Sequence, residues 1–197
     1  MGEPGREIVI VRHGETEWTL SRQHTGTTNI PLTDNGRRQA EAVGTRLAGR
    51  NFDLVLSSPL DRAVETCRLA GFGDAPEISD DLLEWNYGEY EGITTADIRK
   101  TDPDWDLWRD GGPGGETAAQ VGARVDRVIA RLRDLDGSAI VFAHGHLLRV
   151  LAARWIEQPP ELGGRLALST ATIGVLGRER ETPVIWRWND GAHLESG

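Results

Sequence analysis

The sequence predicts an α/β protein, a three-layer sandwich in which helices flank a mostly parallel central sheet. Three short, largely apolar runs, at residues 8–11, 54–57 and 138–143, have the character of strands that are buried on both faces. Segments with apolar residues at helical spacing lie between these runs, so strands and helices alternate along the chain. We expect a single domain over residues 1–197, with a small insertion of loops and short helices at about 71–116 that covers the functional site.

Composition and charge exclude several classes of protein. The chain has 197 residues, of which 38% are hydrophobic and 27% are charged, with a formal net charge of −9. This acidic balance argues against nucleic-acid binding, which normally uses a basic face. No run approaches the roughly 20 apolar residues of a membrane span, and residues 1–6 lack the apolar core of a signal peptide, so we expect a cytoplasmic protein. The single cysteine, Cys67, excludes an internal disulfide and a cysteine-based zinc site.

The first predicted strand ends at Arg12-His13-Gly14. In an open α/β sheet, ligands bind in the crevice beyond the carboxyl ends of the strands, so a guanidinium and an imidazole are expected in that crevice. The neighbouring glycine allows the backbone to approach a ligand closely. An ordinary turn with a surface arginine and histidine is the alternative. A polar loop over residues 15–32 follows this strand.

Two helices are predicted around the second strand. The first has Thr33 as its N-cap and ends at Gly49. The second begins directly after the strand, with Ser58 as its cap and Pro59 in its first turn, which places Arg62 one turn inside the helix. Because helix N-termini attract anions, Arg62 indicates an anion site. An arginine on the surface of an amphipathic helix is the simpler alternative.

The rest of the chain contains the insertion, one long helix and the end of the sheet. Short helices are expected near residues 95–100 and 103–108, and a long helix opens at 116–117. The third strand, 138–143, ends in His144-Gly145-His146, and a helix over 147–156 follows. Strands over 166–177 and 182–188 complete the sheet, and residues 189–197 resemble a frayed tail. Core positions are favoured over pocket positions for four tryptophans, namely Trp18, Trp85, Trp105 and Trp108.

Arg12, His13, Arg62 and His144 all lie at or just beyond the carboxyl ends of predicted strands. Two guanidiniums and two imidazoles describe a pocket for a phosphate dianion, because arginine presents a planar fork of N–H donors that matches phosphate oxygens. A neutral imidazole is also a nucleophile that can accept a phosphoryl group. A metal site built on His144, His146 and His13 is a weaker alternative. Alternate residues of an extended segment point in opposite directions, and no cluster of carboxylates accompanies these histidines.

Several blocks of the sequence occur in the order seen in a known family. They are residues 12–16 (Arg-His-Gly-Glu-Thr), residues 58–66 (Ser-Pro-Leu-Asp-Arg-Ala-Val-Glu-Thr), Glu84 before Tyr87-Gly88, and His144-Gly145. Together they resemble the histidine phosphatase superfamily, also called phosphoglycerate mutase-like, over residues 8–174. The chain is most similar to the branch of small bacterial acid phosphatases and sugar-bisphosphatases, through residues 23–26, 84–88 and 108–116.

The resemblance implies a role for each site residue. His13 would be the nucleophile that becomes phosphohistidine, and Glu84 would be the general acid that protonates the leaving alcohol. Glu84 must then hold a proton near neutral pH, and burial against Trp85 is the expected cause. Glu89 and Glu91 are expected to be solvated loop carboxylates. The residues implied in binding the phosphoryl group or the substrate are Arg12, Arg62, His144, Thr25, Gly26 and Thr19; many relatives have asparagine at the last position. The first three of these would also stabilise the charge that develops during the reaction.

The resemblance predicts a phosphomonoesterase that needs neither a metal ion nor a cofactor and hydrolyses a small phosphorylated metabolite, with a sugar phosphate as the expected class. A phosphoglycerate mutase is the alternative among enzymes. The segment between Glu84 and His144 is shorter than in cofactor-dependent mutases and offers Arg99, Lys100 and Arg109 without an adjacent arginine pair, which favours hydrolysis. A non-catalytic member that binds phosphorylated ligands is the second alternative. No nucleic-acid or membrane partner is expected, and a homodimer is left open.

Overall fold

The computed structural model describes residues 7–73 and 76–194. Its strands are β1 (Ile8–Arg12), β2 (Leu54–Ser57), β3 (Glu77–Ile78), β4 (Ala139–Ala143), β5 (Ile173–Glu179) and β6 (Thr182–Asp190). Its α-helices are α1 (Glu17–Ser21), α2 (Asp34–Arg46), α3 (Asp61–Cys67), α4 (Thr95–Ile98), α5 (Leu107–Asp110), α6 (Ala118–Asp134) and α7 (Gly145–Trp155). A π-helical turn at Arg68–Phe72 extends α3, and 3-10 turns lie at Asp80–Leu82, Gly88–Tyr90, Pro160–Arg165 and Ala192–Leu194. Residues 1–6, on which the expectation about a signal peptide rests, and residues 195–197 of the expected frayed tail lie outside the described residues.

The strands form a six-stranded sheet in the order β3-β2-β4-β1-β5-β6. The strands β1, β4, β2 and β3 are parallel to one another, whereas β5 is antiparallel to β1 and β6 is antiparallel to β5. This confirms the predicted α/β class with a mostly parallel sheet. Arg12 pairs with Ala143, and Ser57 pairs with Phe142. The three central strands therefore end at one edge of the sheet, where the predicted site residues emerge.

Helices cover both faces of the sheet, as predicted. Alternate side chains of a strand point to opposite faces, so Ile8 and Ile10 of β1 pack with α6 and α7, whereas Val9 and Val11 pack with α2 and α3. Every residue of β4 is buried. Burial on both faces explains why these strands appear in the sequence as continuous apolar runs. None of the helices within the described ranges is both long enough and apolar enough to cross a membrane.

The start of the helix after β2 differs from the prediction. Ser58 does not cap this helix, because α3 begins at Asp61 with Leu60 in the N-cap position and without a side-chain cap. The hydroxyl of Ser58 instead lies 2.7 Å from Nε2 of His144, a partner that local sequence does not indicate. In α2 the predicted cap at Thr33 is present, but the helix ends at Arg46, before the predicted end at residue 49.

The predicted strand over residues 166–177 is wrong for its first half, since β5 begins at Ile173. Side chains occupy the backbone acceptors before it: Trp188 Nε1 donates to the carbonyl oxygen of Ala167, and Arg12 Nη1 donates to that of Leu168, both at 2.6 Å. The expected frayed tail is also wrong for residues 189–194. β6 extends to Asp190, and a 3-10 turn follows it.

The insertion is built around buried aromatic side chains. Trp85 and Trp105 are core residues, as expected. Trp18, outside the insertion, instead lines a cavity. The first short helix, α4, lies inside its predicted range. The second, α5, begins later than predicted because Asp106 is its N-cap and accepts from the backbone N–H of Trp108.

A buried arginine of α6 anchors the segment that leads to Glu84. Arg124 is 9% exposed, and its guanidinium donates to both carboxylate oxygens of Glu116, at 2.8 and 3.0 Å. It also donates to the carbonyl oxygens of Asp81, Leu83 and Glu84. These bonds fix the backbone around the residue that the resemblance identifies as the general acid.

Replacing Arg124 by methionine should lower the free energy of unfolding by about 3–5 kcal/mol, because Glu116 and the carbonyl oxygens would lose their donor in a buried place. Arg127→Met is the matched control. Arg127 lies on the same helix and pairs with Asp81 at the surface, so its loss should have little effect. Urea unfolding of the two variants is the measurement, and equal losses of stability would contradict the anchoring role of Arg124.

Candidate active site

The carboxyl ends of the central strands bring together the side chains that were predicted to form a site. His13 follows β1, His144 follows β4 at the N-cap of α7, and the centroids of their rings are 5.2 Å apart. Arg62, in the first turn of α3, donates from Nε to Nδ1 of His144 at 3.2 Å. Arg12, His13 and Glu84 line a cavity of about 290 Å³.

His13 is almost fully buried, with 3% of its surface exposed, and one hydrogen bond sets its tautomer. Nδ1 lies 2.7 Å from the carbonyl oxygen of Gly14. Because a carbonyl oxygen only accepts, Nδ1 carries the proton and Nε2 keeps its lone pair. Position 14 requires glycine, since a Cβ there would lie 2.3 Å from the carbonyl oxygen of Gly36.

The charge state of His13 follows from its surroundings. Burial lowers the pKa of His13 well below its usual value, and the guanidiniums of Arg62 and Arg12 lower it further. The ring is therefore neutral near physiological pH. Neutral imidazole with a free Nε2 is the form that attacks electrophiles.

Arg62 is a guanidinium with 0% exposure that forms no ion pair with any described residue. It donates to the carbonyl oxygens of Thr28 (2.9 Å), Gly26 (2.9 Å) and Thr25 (3.2 Å). These bonds satisfy its donors, but none of the acceptors carries a negative charge. Glu84 and Glu91 attract this charge without forming an ion pair with it. Because a buried charge that is not directly paired is costly, an anion in the cavity would be stabilised.

The loop that Arg62 holds is fixed from its other side by Glu91. The carboxylate of Glu91 accepts from the backbone N–H groups of Gly26, at 2.9 Å, and Thr28, at 3.0 Å. The expectation of a solvated loop carboxylate is therefore wrong for Glu91, because backbone amides of a distant loop are its partners. The backbone N–H of Gly26 donates to Glu91, and its carbonyl oxygen accepts from Arg62. Thr25, in contrast, lines the cavity.

Both ring nitrogens of His144 are engaged. Since Arg62 donates to Nδ1, the proton of His144 is on Nε2, which donates to Ser58 Oγ at 2.7 Å. Burial lowers the pKa of His144 well below its usual value, and Arg62 and His13 lower it further. His144 is therefore a neutral ring in a fixed orientation beside His13.

The guanidinium of Arg12 is only partly paired within the described residues. Its Nη1 donates to the carbonyl oxygen of Leu168 at 2.6 Å, while its Nε is buried and unpaired. Because Arg12 lines the cavity, its guanidinium can bind an anion beside His13. Thr19 also lines the cavity, but its hydroxyl serves a capping box with Thr16.

Glu84 is held by the start of α7. It is 5% exposed, and its carboxylate accepts from the backbone N–H groups of Trp85 (2.9 Å), Leu147 (2.8 Å) and His146 (3.0 Å). These bonds orient the carboxylate in the wall of the cavity. A bound ester would therefore have an acid–base group within the same cavity as His13.

The cavity contains further residues that the sequence did not single out as site residues. Among them are Tyr87, His146, Arg22, Arg149 and His24. His146 was considered only as a metal ligand, but its Nδ1 lies 2.6 Å from Tyr87 Oη. Arg149 follows His146 by three positions on α7, a spacing that places both on one helix face and that could have indicated it. Within residues 7–73 and 76–194, no three His, Cys, Asp or Glu side chains come together as a metal site.

Comparison with known proteins identifies relatives over most of the chain. Residues 8–191 match the sequence model of the histidine phosphatase superfamily (branch 1). An acid phosphatase of Mycobacterium tuberculosis is 42% identical over 183 residues, which cover 91% of this chain and 90% of that protein. A sedoheptulose 1,7-bisphosphatase of Saccharomyces cerevisiae is 40% identical over 179 residues, which cover 75% of this chain and 66% of that protein.

Two further comparisons extend this result. A 2,3-bisphosphoglycerate-dependent phosphoglycerate mutase of Mesorhizobium japonicum is 36% identical over 165 residues, which cover 74% of this chain and 79% of that protein. The solved structure of open reading frame Rv3214 from Mycobacterium tuberculosis superposes with a TM-score of 0.89 at 39% identity, and the match covers 93% of this chain and 97% of that one. The names of these relatives thus describe two reaction types on phosphate esters, hydrolysis in the phosphatases and interconversion in the mutase.

The buried neutral histidines predict how stability depends on pH. Burial lowers the pKa values of His13, His144 and His146 well below the usual value in the folded state, whereas the unfolded chain protonates all three below about pH 6.5. The free energy of unfolding should therefore fall as the pH decreases from about 6.5 to about 5, by about 1.4 kcal/mol per pH unit for each histidine. Urea unfolding at several pH values measures the slope, and His13→Ala should reduce it by one histidine's share. A slope of zero in the wild-type protein would exclude the buried neutral state.

Proposed function

The chain belongs to branch 1 of the histidine phosphatase superfamily and is a phosphoric monoester hydrolase. We propose that it acts without a metal ion or cofactor, through a phosphohistidine at His13. The observation that carries this proposal is the buried neutral ring of His13, whose Nδ1 donates to the carbonyl oxygen of Gly14 and whose Nε2 has no partner among the described residues. Arg62 and Arg12 supply positive charge beside it. A phosphate ester in this cavity would therefore lie beside a nucleophile and beside the positive charge that neutralises its phosphate group.

The proposed reaction has two steps that use the same residues. First, Nε2 of His13 attacks phosphorus, the bond from phosphorus to the ester oxygen breaks, and Glu84 gives its proton to the departing alcohol. Then water attacks the phosphohistidine, the P–N bond breaks, and the carboxylate of Glu84 takes a proton from that water. Inorganic phosphate leaves, and both residues return to their starting states. Positioning and charge stabilisation supply most of the rate in such transfers, and Arg62 and His144 are held rigidly for that role.

Replacing His13 by alanine should abolish turnover of nitrophenyl phosphate in a protein that still folds, because no other group would form the covalent intermediate. The loss should exceed the range of about 10²–10⁴-fold that general acid–base effects contribute. Steady-state rates in excess chelator are the measurement, with urea unfolding as the control for folding. Residual activity above about one hundredth of wild type would contradict the covalent route. If the chelator stopped the wild-type reaction and zinc or magnesium restored it, a metal-assisted mechanism would replace this one.

Replacing Glu84 by glutamine keeps the shape of the side chain and removes its proton. Alkyl phosphates should lose about 10²–10⁴-fold in kcat, whereas nitrophenyl phosphate should lose much less, because its leaving group hardly needs a proton. The lowered pKa of His13 should place the acidic limb of kcat/KM below about pH 6.5 in both enzymes. Glu89→Gln, at an exposed carboxylate of the same segment, is the matched control. Equal losses on both substrates would remove the acid role from Glu84.

The charges of the cavity favour a small substrate with a second negative group. Arg22 and Arg149 line it together with His13, and neither forms an ion pair within the described part of the chain. Arg149 is held by the carbonyl oxygen of Gly163, at 2.9 Å, and its guanidinium lies 4.7 Å from the ring centre of Trp108. These arginines can bind the leaving group, which suits a sugar bisphosphate better than a sugar monophosphate. The similarity to the yeast sedoheptulose 1,7-bisphosphatase supports this substrate class.

Arg149→Met should weaken the preference for fructose 1,6-bisphosphate over fructose 6-phosphate by about tenfold or more, because hydrogen bonds to charged groups contribute about 1.5–3 kcal/mol. The readout is the ratio of the two kcat/KM values in each enzyme. Arg165→Met is the matched control, since Arg165 lies nearby but lines a different surface pocket. A wild-type ratio in Arg149→Met would show that Arg149 does not bind the leaving group.

The mutase alternative has less support in the structure. The basic residues of the insertion are engaged elsewhere: Arg99 donates to the carbonyl oxygen of Trp105, Lys100 pairs with Asp97, and Arg109 pairs with Asp110. None of them lines the cavity. Interconversion of phosphoglycerates that depends on a bisphosphoglycerate primer would favour the mutase. A complete lack of turnover in the wild-type protein would favour the non-catalytic alternative.

A further inference from the structure

Tyr87 and His146 form a hydrogen-bonded pair in the cavity wall that the proposed reaction does not use. Tyr87 Oη lies 2.6 Å from Nδ1 of His146. Tyr87 is 2% exposed, and His146 lines the cavity. The backbone N–H of His146 donates to Oε2 of Glu84 at 3.0 Å. His146 therefore helps to orient the proposed acid through its backbone, while its ring faces the cavity.

The surroundings determine the direction of this hydrogen bond. Burial raises the pKa of Tyr87 well above its usual value, and Glu84 raises it further. Burial and Arg149 lower the pKa of His146 well below its usual value, so both groups are neutral. The hydroxyl of Tyr87 has no other acceptor among the described residues, and Tyr87 is 2% exposed, whereas His146 is only half-buried. A donor left without an acceptor is therefore more costly on the hydroxyl of Tyr87 than on the ring of His146. Tyr87 therefore donates to Nδ1, and the proton of His146 is on Nε2.

The Nε2–H group of His146 has no acceptor within residues 7–73 and 76–194. The ring is nevertheless held in place, because its centroid lies 5.5 Å from that of Trp108 and 6.4 Å from that of Trp85, both in edge-on arrangements. Together with the bond to Tyr87, these contacts fix the direction of Nε2–H. A fixed donor without a protein acceptor, on a residue that lines the cavity, is available to a ligand.

We propose that His146 is a specificity-determining residue that donates from Nε2 to an oxygen of the leaving group, close to the ester oxygen, and that Tyr87 is the positioning residue that selects its tautomer. This inference rests on the proposed phosphatase function. It narrows the substrates to phosphate esters of polyols or sugars with a hydroxyl near the phosphorylated carbon. A neutral donor suits this place, because it can bind a hydroxyl without supplying a second acidic proton beside Glu84.

Such a donor discriminates mainly against esters that lack the hydroxyl. An ester without it leaves Nε2–H unpaired in a desolvated place, which costs more than one hydrogen bond contributes in water. Arg22 and Arg149 bind a negatively charged group more strongly than a neutral hydroxyl. We therefore assign the preference for hydroxylated over plain alkyl esters to the fixed, neutral donor of His146.

Nitrogen-15 NMR of histidine-labelled protein tests the tautomer of His146 directly, with His146→Gln used to assign its signals. The expected spectrum has a protonated Nε2 and an unprotonated Nδ1 at neutral pH. Tyr87→Phe removes the donor to Nδ1, so the second tautomer should become populated. A His146 ring protonated on Nδ1 in the wild-type protein would overturn the proposal.

Glycerol 3-phosphate and propyl phosphate share a carbon chain and differ only in their hydroxyl groups. The wild-type enzyme should prefer the glycerol ester by about tenfold in kcat/KM. His146→Met fills a similar volume without the donor, so the ratio should fall to about one. His146→Gln keeps an N–H group near the position of Nε2 and should retain most of the preference.

The outcomes separate this inference from the proposed function. If the wild-type enzyme hydrolyses neither ester and no nitrophenyl phosphate either, the proposed function itself fails. If it hydrolyses nitrophenyl phosphate but neither ester, only the present inference fails. If it hydrolyses both and His146→Met keeps the wild-type ratio, only the role of His146 fails. Equal ratios in His146→Met and His146→Gln, both below wild type, would show that packing of the ring sets the preference, and they would also overturn the inference.

Discussion

The buried guanidinium of Arg62 is the interaction on which the rest of the site depends. Its exposure is 0%, and its donors bind carbonyl oxygens of residues 25–28 together with the ring of His144. None of these acceptors is negatively charged, and Glu84 and Glu91 attract the guanidinium without an ion pair. The fold therefore keeps a buried, directly unpaired positive charge at the end of its central strands. The same bonds join α3, the loop after α1 and the start of α7. One side chain thus sets both the shape of the site and its affinity for a dianion.

This positive charge also contributes to the state of the histidines. Burial lowers the pKa values of His13 and His144, and repulsion from the guanidiniums of Arg62 and Arg12 lowers them further, so both rings are neutral. Charges that attract a phosphate ester therefore also keep the attacking nitrogen in its reactive form. Hydrogen bonds then choose the tautomers, through the Gly14 oxygen for His13 and through Arg62 for His144. The arginine charges thus contribute both to binding and to the neutral state of the nucleophile, which burial sets in the first place.

Local patterns predicted the parts of the molecule that local physics determines. Strands buried on both faces appear as apolar runs, and parallel strands end at one edge, so His13 and His144 could be placed near each other before the structure was known. Features with distant partners could not be predicted in this way. Ser58 has the sequence context of a helix cap but accepts from His144, and Glu91 looks like a solvated carboxylate but binds loop amides. Residues 166–172 have strand-like composition, yet side chains from other elements take their carbonyl oxygens.

The most direct test of covalent catalysis at His13 is to trap the phosphorylated enzyme. Wild-type protein is mixed rapidly with radiolabelled nitrophenyl phosphate, quenched in base, digested and mapped. The expected result is label on the peptide that contains His13, formed as fast as nitrophenol is released in the first turnover, stable in base and lost in acid, as for a P–N bond. Label on a different residue, or a first turnover without any bound label, would contradict nucleophilic attack by His13.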